Sequence, residues 1–515
     1  MAYITSFKNQ NYLLPLNITE LFSEDHVCYL IEQIAEQLNY SEFDKKYAGA
    51  GHPAYHPRIN IKLLLMANVD GIRSSRRIAK NATENVVYIY LAEKTSPDFR
   101  TISDFRKDNR DLIKNVFREV NMFALEHGLI DLSHLLIDGT TIRANANNQR
   151  ILDRETLDKL DKYIDKVIGA GIKVDEEEDK IYGERGMHEL PEEFNDSERR
   201  KPIVRKIVNE INKSIKEGKK EHVKQIKQAF NSLQQMMYDQ GLKKFGLTDS
   251  DARFMLNKKG GKELSYNAQL VVERNGLIIS NVVVQECDDR NQIVRNVNHV
   301  EQEFGTLSKK TKVIVDNGYE NGVEMENLDK RGFDLYIPGK NMKEGKIKAK
   351  RFVKANFRYD EGTDRYICPE GKFLKNVGTS FNKKRGVYMM IYKGIDCPSC
   401  PHQKECCKNS KFRAIHALPQ DKLFNRIRKK LCTKEGKAVY DLRKQTVERS
   451  IGDIKHNKKF RSFLLRGKQK VKVEFNLACI AHNLVILNNK LWGKHITITG
   501  VMRRKGMLDI LDVDC

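Results

Sequence analysis

The chain has 515 residues and a formal net charge of +23, with 92 Lys and Arg residues against 69 Asp and Glu residues. This length calls for two or more domains and excludes a peptide hormone or a small binding module. Because 40% of the residues are hydrophobic, the chain can bury a large core, which excludes a wholly disordered protein. So large a positive excess favours a polyanionic partner, above all nucleic acid.

The sequence gives no sign of a membrane or secretory segment. No apolar run approaches the roughly 20 residues that cross a bilayer, and residues 1–17 lack the basic and apolar segments of a signal peptide. Five of the ten cysteines fall between Cys368 and Cys407, unlike the even spacing of a secreted disulfide scaffold. We therefore expect a cytoplasmic protein with no membrane partner.

Residues 1–125 are predicted to form a helical N-terminal DNA-binding domain, because apolar residues recur there at spacings of three and four. An apolar helix at residues 61–69, a turn at Gly71 and a basic helix with Arg76 and Arg77 are typical of a helix-turn-helix unit that binds DNA. Short helices joined by a Gly turn also occur in bundles that never touch DNA, so this pattern alone leaves both interpretations open.

Short β-rich runs follow Leu132 and predict the strands of one sheet. The runs are residues 135–137, 268–272, 277–284, 313–315 and 335–337. An Asn-Gly turn at residues 275–276 predicts an antiparallel hairpin, whereas helical patterns such as residues 293–304 link the later strands. The predicted fold class is therefore α/β, with a mixed sheet core and helices on its faces.

Two insertions divide this predicted core into a first part at residues 126–339 and a second part at residues 423–490. Residues 150–245 are charged and helical in pattern, and we interpret them as an inserted helical arm. Residues 340–422 are predicted to form a small basic and Cys-rich insertion. Residues 491–515 are left as a C-terminal tail, whereas the helix at residues 475–487 is predicted to pack on the sheet.

Three acidic residues are candidates for metal chemistry. Asp138 and Asp316 each end a short apolar strand, which fixes a carboxylate and leaves it open to a ligand, although either one alone is also explained as a turn residue. Glu448 lies in the most basic segment, residues 421–475, with 18 Lys and Arg against 6 Asp and Glu. Residues 444–455 are predicted to form one helix, on which Lys444 and Lys455 share the face of Glu448, although an ordinary surface helix with ion pairs has the same pattern.

The order and context of these motifs resemble the DDE-class insertion-sequence transposases, which have a retroviral-integrase-like catalytic domain and a Tyr-Arg-Glu-Lys signature helix. The resemblance rests on residues 51–53, 97–106, 137–140, 316–319, 446–448, 455, 476–478 and 482–484. It implies a ribonuclease-H-like core and a catalytic, metal-binding triad of Asp138, Asp316 and Glu448. It also implies that Lys455 is the signature lysine that binds the DNA end.

The chain departs from that signature at two positions. Its Arg and Tyr positions are Lys444 and Asp441 here, while Arg443 and Tyr440 stand one residue earlier. On a continuous helix Lys444 faces the site and Arg443 does not, so Lys444 is the predicted DNA-binding residue. A lysine keeps the charge of an arginine but loses its bidentate phosphate geometry.

The resemblance implies cleavage of DNA at insertion-sequence ends and strand transfer into target DNA, with Mg²⁺ or Mn²⁺ as cofactor. Its partners would be the terminal inverted repeats and the target, both double-stranded DNA, bound by a homodimer in the bacterial cytoplasm at the nucleoid. The acids alone support a metal-dependent ribonuclease-H-like nuclease almost as well. A non-catalytic DNA-binding descendant of a transposase is a second alternative, which three acids in a basic segment disfavour.

The cysteine cluster is predicted to bind a structural Zn²⁺ ion. Cys368 begins a Cys-Pro-x-Gly knuckle, and Cys397 and Cys400 form a Cys-x-x-Cys knuckle. Cys406 is chosen as the fourth ligand, although Cys407 and His402 remain open, as does a set of reduced thiols without metal. Several other acids are interpreted as turn residues or as groups behind a ligand, namely Asp249, Asp251, Asp288 and Asp289.

Overall fold

The structure is a computed structural model that describes residues 17–46, 54–148, 150–173, 201–217, 220–257, 260–339, 351–360, 362–382, 387–407 and 410–493. Three sequence predictions fall outside the described residues. They concern the motif at residues 51–53, the basic start of the second insertion at residues 340–350, and all but the first residues of the C-terminal tail.

Helices make up the first part of the described chain. They are α1 (Cys28–Gln37), α2 (Ser41–Lys46), α3 (Pro57–Val69), α4 (Ser75–Glu84), α5 (Val86–Leu91), α6 (Phe99–Asp108) and α7 (Arg110–Glu126). Helix α3 begins with Pro57 in its first turn, where the missing N–H costs nothing. Gly71 takes a φ of +66° in the turn between α3 and α4, so the predicted helix-turn-helix order is confirmed.

The central part of the chain alternates between strands and helices. In order these are β1 (His134–Arg143), β2 (Ile151–Asp153), α8 (Arg154–Lys173), α9 (Lys201–Lys216), α10 (Lys220–Asp239), β3 (Lys244–Gly246), β4 (Arg253–Leu256), β5 (Lys262–Glu273), β6 (Ile278–Val284), α11 (Ile293–Phe304), β7 (Lys312–Ile314), α12 (Gly322–Lys330) and β8 (Asp334–Tyr336).

Six of these strands form one mixed sheet, as the sequence predicts. The path runs β4–β5–β1–β7–β8. Strand β6 also pairs with β5, along residues 267–272, whereas β4 pairs with residues 262–265. The β5 pairings with β1, β4 and β6 are antiparallel, whereas β1 with β7 and β7 with β8 are parallel. The predicted hairpin is confirmed, because the Glu273 N–H donates to Leu277 O at 3.0 Å and Gly276 has a φ of +95°.

The helical pattern predicted for residues 150–245 is confirmed in α8, α9 and α10. Their apolar side chains, among them Leu157, Leu160 and Ile164, form a hydrophobic cluster of their own. This cluster is separate from the hydrophobic core of the sheet. The short pair β2 and β3, with Leu152 opposite Phe245, joins the two ends of the segment. The segment therefore has a core of its own.

The second insertion folds as an antiparallel sheet that the cysteine spacing did not predict. Its elements are β9 (Arg358–Asp360), β10 (Arg365–Ile367), β11 (Phe373–Asn382), β12 (Val387–Gly394), α13 (Gln403–Cys407) and β13 (Ala414–Ala417), with strands in the order β13–β12–β11–β10–β9. The helices that follow are α14 (Asp421–Cys432), α15 (Lys434–Gln445), α16 (Val447–Gly452) and α17 (Lys468–Gly493), with a π-helical turn at Asp453–Asn457.

Helix α17 joins the N-terminal helices and the sheet into one hydrophobic core. Asn483 on α17 exchanges hydrogen bonds of 2.8 Å with the backbone of Ile278 in β6, and its amide donates to Asn121 of α7 at 2.9 Å. The predicted packing of residues 475–487 on the sheet is thus confirmed. Within the described part of the chain, α17 included, we find no helix with the length and apolarity that a membrane crossing needs.

Candidate active site

Asp138 and Asp316 lie at the same level on neighbouring parallel strands. The register of β1 and β7 pairs His134 with Lys312 and Leu136 with Ile314. Each aspartate stands two residues beyond the second of these pairs, where β7 has ended and the chain turns. The sheet therefore brings together two acids that are far apart in sequence. The prediction that Asp138 ends its strand is wrong, because β1 continues to Arg143 and pairs Asp138 with Leu270 of β5, whereas Asp316 follows the end of β7.

The electrostatics of Asp138 reflect this crowding. Burial raises the pKa of Asp138 to about 6. The Arg443 cation lowers this pKa, and the negative charge of Asp316 raises it. The Gly139 N–H donates to its Oδ1 at 2.9 Å. Asp316 in turn accepts a hydrogen bond of 2.7 Å from the Gly318 N–H, which fixes its direction at the end of the strand.

The prediction that Lys444 faces the site is wrong, and Arg443 faces it instead. Arg443 is buried, with Nη2 2.9 Å from Asp138 Oδ2, and its Nη1 donates to the Tyr440 hydroxyl at 3.2 Å. Lys444 is exposed and pairs with Asp441 at 3.0 Å. The predicted continuous helix does not form, because Thr446 takes φ −116° and ψ −96° between α15 and α16.

Glu448 lies in the first turn of α16 and is exposed. Burial raises the pKa of Tyr440, the Arg443 cation and its hydrogen bond lower it, and the charges of Asp316 and Glu448 raise it. Lys455, in the π-helical turn, donates to Thr141 O of β1 at 3.0 Å. Lys455 thus contacts β1 three residues beyond Asp138, whereas among the described residues Glu448 forms no ligating group with the two aspartates.

Asp289 also lies at this site, although the sequence predicts it to be only a turn residue or a group behind a ligand. It accepts hydrogen bonds from Asn267 and Gln269, two alternate residues of β5. The charge of Asp289 also contributes to the raised pKa of Asp138. One signal in the sequence was available, because two amides at alternate positions of an otherwise apolar strand indicate a buried polar face.

Arg76 and Arg77 are exposed on α4, and the Arg76 guanidinium lies 4.7 Å from the centre of the Phe99 ring. The turn before α4 packs against the segment that carries Lys455. A Cβ on Gly71 would lie 2.9 Å from Asn457 O, and Lys458 Nζ donates to Val69 O at 3.3 Å. The helix-turn-helix region and the π-helical turn are therefore in direct contact.

The cysteines of the second insertion line one narrow cavity of about 20 Å³, namely Cys368, Cys397, Cys400, Cys406 and Cys407. The Lys372 N–H donates to Cys368 Sγ at 3.3 Å, and the Arg413 N–H donates to Cys397 Sγ at 3.5 Å. Burial raises the pKa of Cys407 to about 12. Among the residues that line this cavity there is no histidine, and His402 pairs with Glu370 at 3.9 Å.

The donor chemistry of the two sites fits different metals. Carboxylate oxygens suit Mg²⁺ and Mn²⁺, and thiolates suit Zn²⁺. As the described residues stand, no group of three or more His, Cys, Asp or Glu side chains is placed to hold an ion. The acid site nevertheless gathers more negative charge than Arg443 offsets, and a divalent cation would offset the rest.

Two family models match the chain. The model described as a transposase DDE domain matches residues 367–488, which include Glu448, Lys455 and the cysteine cluster. The model described as a transposase domain (DUF772) matches residues 16–108, which include Arg76 and Arg77. Asp138 and Asp316 lie between the two matched regions. No curated protein and no solved structure matches the chain.

Proposed function

We propose that Asp138, Asp316 and Glu448 are the catalytic triad of this chain, a DNA transposase of the DDE insertion-sequence type. The observation that carries the proposal is the parallel register of β1 and β7, which puts Asp138 and Asp316 at one level of the sheet. Glu448 lies at the start of α16, directly after the helix whose Arg443 pairs with Asp138.

We further propose that the catalytic core is ribonuclease-H-like. The order β6–β5–β1–β7–β8, antiparallel among the first three strands and parallel among the last three, supports that assignment. In this core the first acid lies on β1 and the second directly after β7. Our proposed division of the chain is residues 1–125, 126–339, 340–422 and 423–490. Helix α17 begins in the fourth part and packs against the first and second parts.

Asp138, Asp316 and Glu448 would hold Mg²⁺ or Mn²⁺. When bound, two such ions would activate the attacking oxygen and stabilise the leaving oxygen of an in-line phosphoryl displacement. Arg443 holds the Asp138 carboxylate in one direction through its 2.9 Å ion pair. Because water and a DNA 3′-hydroxyl are both suitable nucleophiles, one site would serve cleavage at the element ends and strand transfer into target DNA.

DNA binding is assigned to cations on both sides of this site. We propose that Arg443 and Lys455 hold the DNA end near the acids, and that Arg76 and Arg77 on α4 contact the terminal inverted repeats. Two ends must be joined in one event, so a homodimer on double-stranded DNA is proposed. Its place of action would be the bacterial cytoplasm, at the nucleoid.

The cysteine cavity is proposed to hold one structural Zn²⁺ ion. Backbone N–H groups that point at Cys368 and Cys397 favour thiolates, which are the zinc-binding form. Cys400 and Cys406 complete the set, with Cys407 as the alternative to Cys406. Metal analysis of the purified chain is expected to give one zinc per chain, lost in Cys397→Ser and kept in Cys432→Ser, whose thiol is exposed on α14. Equal zinc in both variants would refute the site.

The transposase assignment is tested on labelled DNA from the flanks of the reading frame. We expect Mg²⁺-dependent cleavage and joined products with the wild-type chain, and neither with Asp138→Asn. Nicking without joining in Mg²⁺ and in Mn²⁺ would instead support a nuclease. Binding without cleavage in either protein would support a non-catalytic descendant.

A further inference from the structure

We propose that Asp289 is a further metal-ligating carboxylate of the acid site, an inference that rests on the proposed function and extends it beyond the triad. Asp289 lies in the loop between β6 and α11. Its Oδ1 accepts two hydrogen bonds from β5, at 2.8 Å from Asn267 Nδ2 and at 2.6 Å from Gln269 Nε2. A carboxylate whose only role is in a loop or turn does not need two buried side-chain amides as hydrogen-bond donors.

Two glycines show where this carboxylate lies relative to the acids of the triad. A Cβ on Gly139, the residue after Asp138, would lie 2.5 Å from Asp289 Oδ1. A Cβ on Gly318 would lie 2.9 Å from Asp316 Oδ1 and 3.7 Å from Asp289 Oδ2. The Asp289 carboxylate is therefore close to Gly139, the residue after Asp138 in β1, and to Gly318, two residues after Asp316, and its second oxygen lies on the side of Asp316.

The amides that hold Asp289 are themselves fixed. The Tyr319 hydroxyl donates to Gln269 Oε1, and Asn296 Nδ2 of α11 donates to the same oxygen at 3.3 Å. Gln269, Tyr319 and Asn296 are fully buried. Carboxylates that ligate metals are commonly held in this way by a second layer of hydrogen bonds, which orients the remaining oxygen toward the ion.

The charges at the site favour a cation near Asp289. The triad and Asp289 together carry four negative charges, and the Arg443 cation is paired with only one of the acids, Asp138. Burial raises the pKa of Asp289, and the charge of Asp316 raises it further, against the hydrogen bonds from Asn267 and Gln269. Two carboxylates that repel each other are stabilised by a divalent ion that both of them ligate.

The test compares Asp289→Asn with Asp288→Asn in the full-length chain, by electron paramagnetic resonance titration of Mn²⁺ without DNA. Asp288 is the adjacent acid, but its side chain is 62% exposed and pairs with Arg290 at 3.8 Å. We expect Asp289→Asn to weaken Mn²⁺ binding by about tenfold or more, as loss of a ligating group does, and Asp288→Asn to leave it unchanged. Unchanged Mn²⁺ affinity in Asp289→Asn would overturn the proposal.

Two further variants separate this inference from the function beneath it. If Asp138→Asn and Asp316→Asn weaken Mn²⁺ binding and Asp289→Asn does not, the triad stands and the role of Asp289 is refuted. If none of the three weakens it, the proposed metal site fails as a whole. Asp289→Cys is expected to cleave DNA better in Mn²⁺ than in Mg²⁺, because thiolates bind the softer ion. Equal activity in the two ions would contradict ligation.

Discussion

Arg443 Nη2 lies 2.9 Å from Asp138 Oδ2, so a cation of helix α15 is buried against the first acid of the sheet. The two residues are separated by both insertions, and their pairing ties the second part of the proposed core to the first. Arg443 also donates to the hydroxyl of Tyr440, one turn earlier on the same helix.

Loss of this cation is expected to destabilise the chain strongly. In Arg443→Met the buried Asp138 carboxyl loses the cation that lowers its pKa, so it either stays charged without a partner or takes up a proton. Removal of one partner of a buried pair costs up to about 3–5 kcal/mol. Lys444→Met is the matched control, because Lys444 is exposed and its pair with Asp441 contributes about 1 kcal/mol at most. Urea unfolding without metal measures both. Equal losses of stability would show that Arg443 and Lys444 are equivalent.

Metal binding at Asp138 is expected to fail in mildly acidic solution. The pKa of Asp138 is raised to about 6, chiefly by burial, so the folded protein holds this proton more tightly than a free aspartate does. A carboxylate must lose its proton to bind an ion, so Mn²⁺ affinity should be level above pH 6 and fall about tenfold per unit below it. Titrations between pH 4.5 and pH 8 measure this. A fall that begins only near pH 4 would contradict the raised pKa.

The sheet and its acids could be predicted from sequence because local patterns determine them. The apolar runs, the Asn-Gly turn and the aspartate that follows each of two apolar runs can be identified in short segments, although β1 continues past Asp138 to Arg143. The choice between Lys444 and Arg443 could not be predicted from the sequence, since it depended on a continuous helix. Thr446 breaks that helix, and no Pro or Gly marks the position.

The role of Asp289 and the shape of the second insertion depend on long-range contacts. Asp289 reaches the site through side chains of β5, which are 20 and 22 residues away in sequence. In the insertion, the cysteine spacing indicated a metal site, but the five-stranded sheet around it forms from runs with little apolar alternation. Neither relationship has a signature in a short segment of sequence.

Arg76 and Arg77 are expected to contribute nonspecific affinity for DNA. Both are exposed on α4, and a lost phosphate contact lowers the steepness of the salt dependence by about one unit. We therefore expect Arg76→Ala and Arg77→Ala each to flatten the plot of log affinity against log salt. Lys213→Ala, an exposed lysine of α9, is the control. An unchanged slope in both arginine variants would remove α4 from the DNA-binding surface.

Glu474 on α17 is expected to hold the helix-turn-helix region to the rest of the core. It is buried, with Oε1 3.1 Å from Arg73 Nη2 in the turn before α4, and its Oε2 accepts from the Leu464 and Leu465 N–H groups at 2.9 Å. Glu474→Gln leaves the half-buried Arg73 cation without its counter-charge, at a cost of about 3–5 kcal/mol. In Glu84→Gln, by contrast, an exposed pair with Lys80 is lost, at a cost below about 1 kcal/mol.

Hydrogen exchange distinguishes a local effect of Glu474→Gln from a shared one. The N-terminal helices and the sheet belong to one hydrophobic core, so protection should fall in α3 and α4 as well as in α17. Loss of protection in α17 alone would mean that the N-terminal helices are stable by themselves. Loss of protection in both regions would mean that the N-terminal helices and α17 are stabilised together. The turn before α4 contacts the segment that carries Lys455, so DNA bound at α4 would then be held rigidly to that segment.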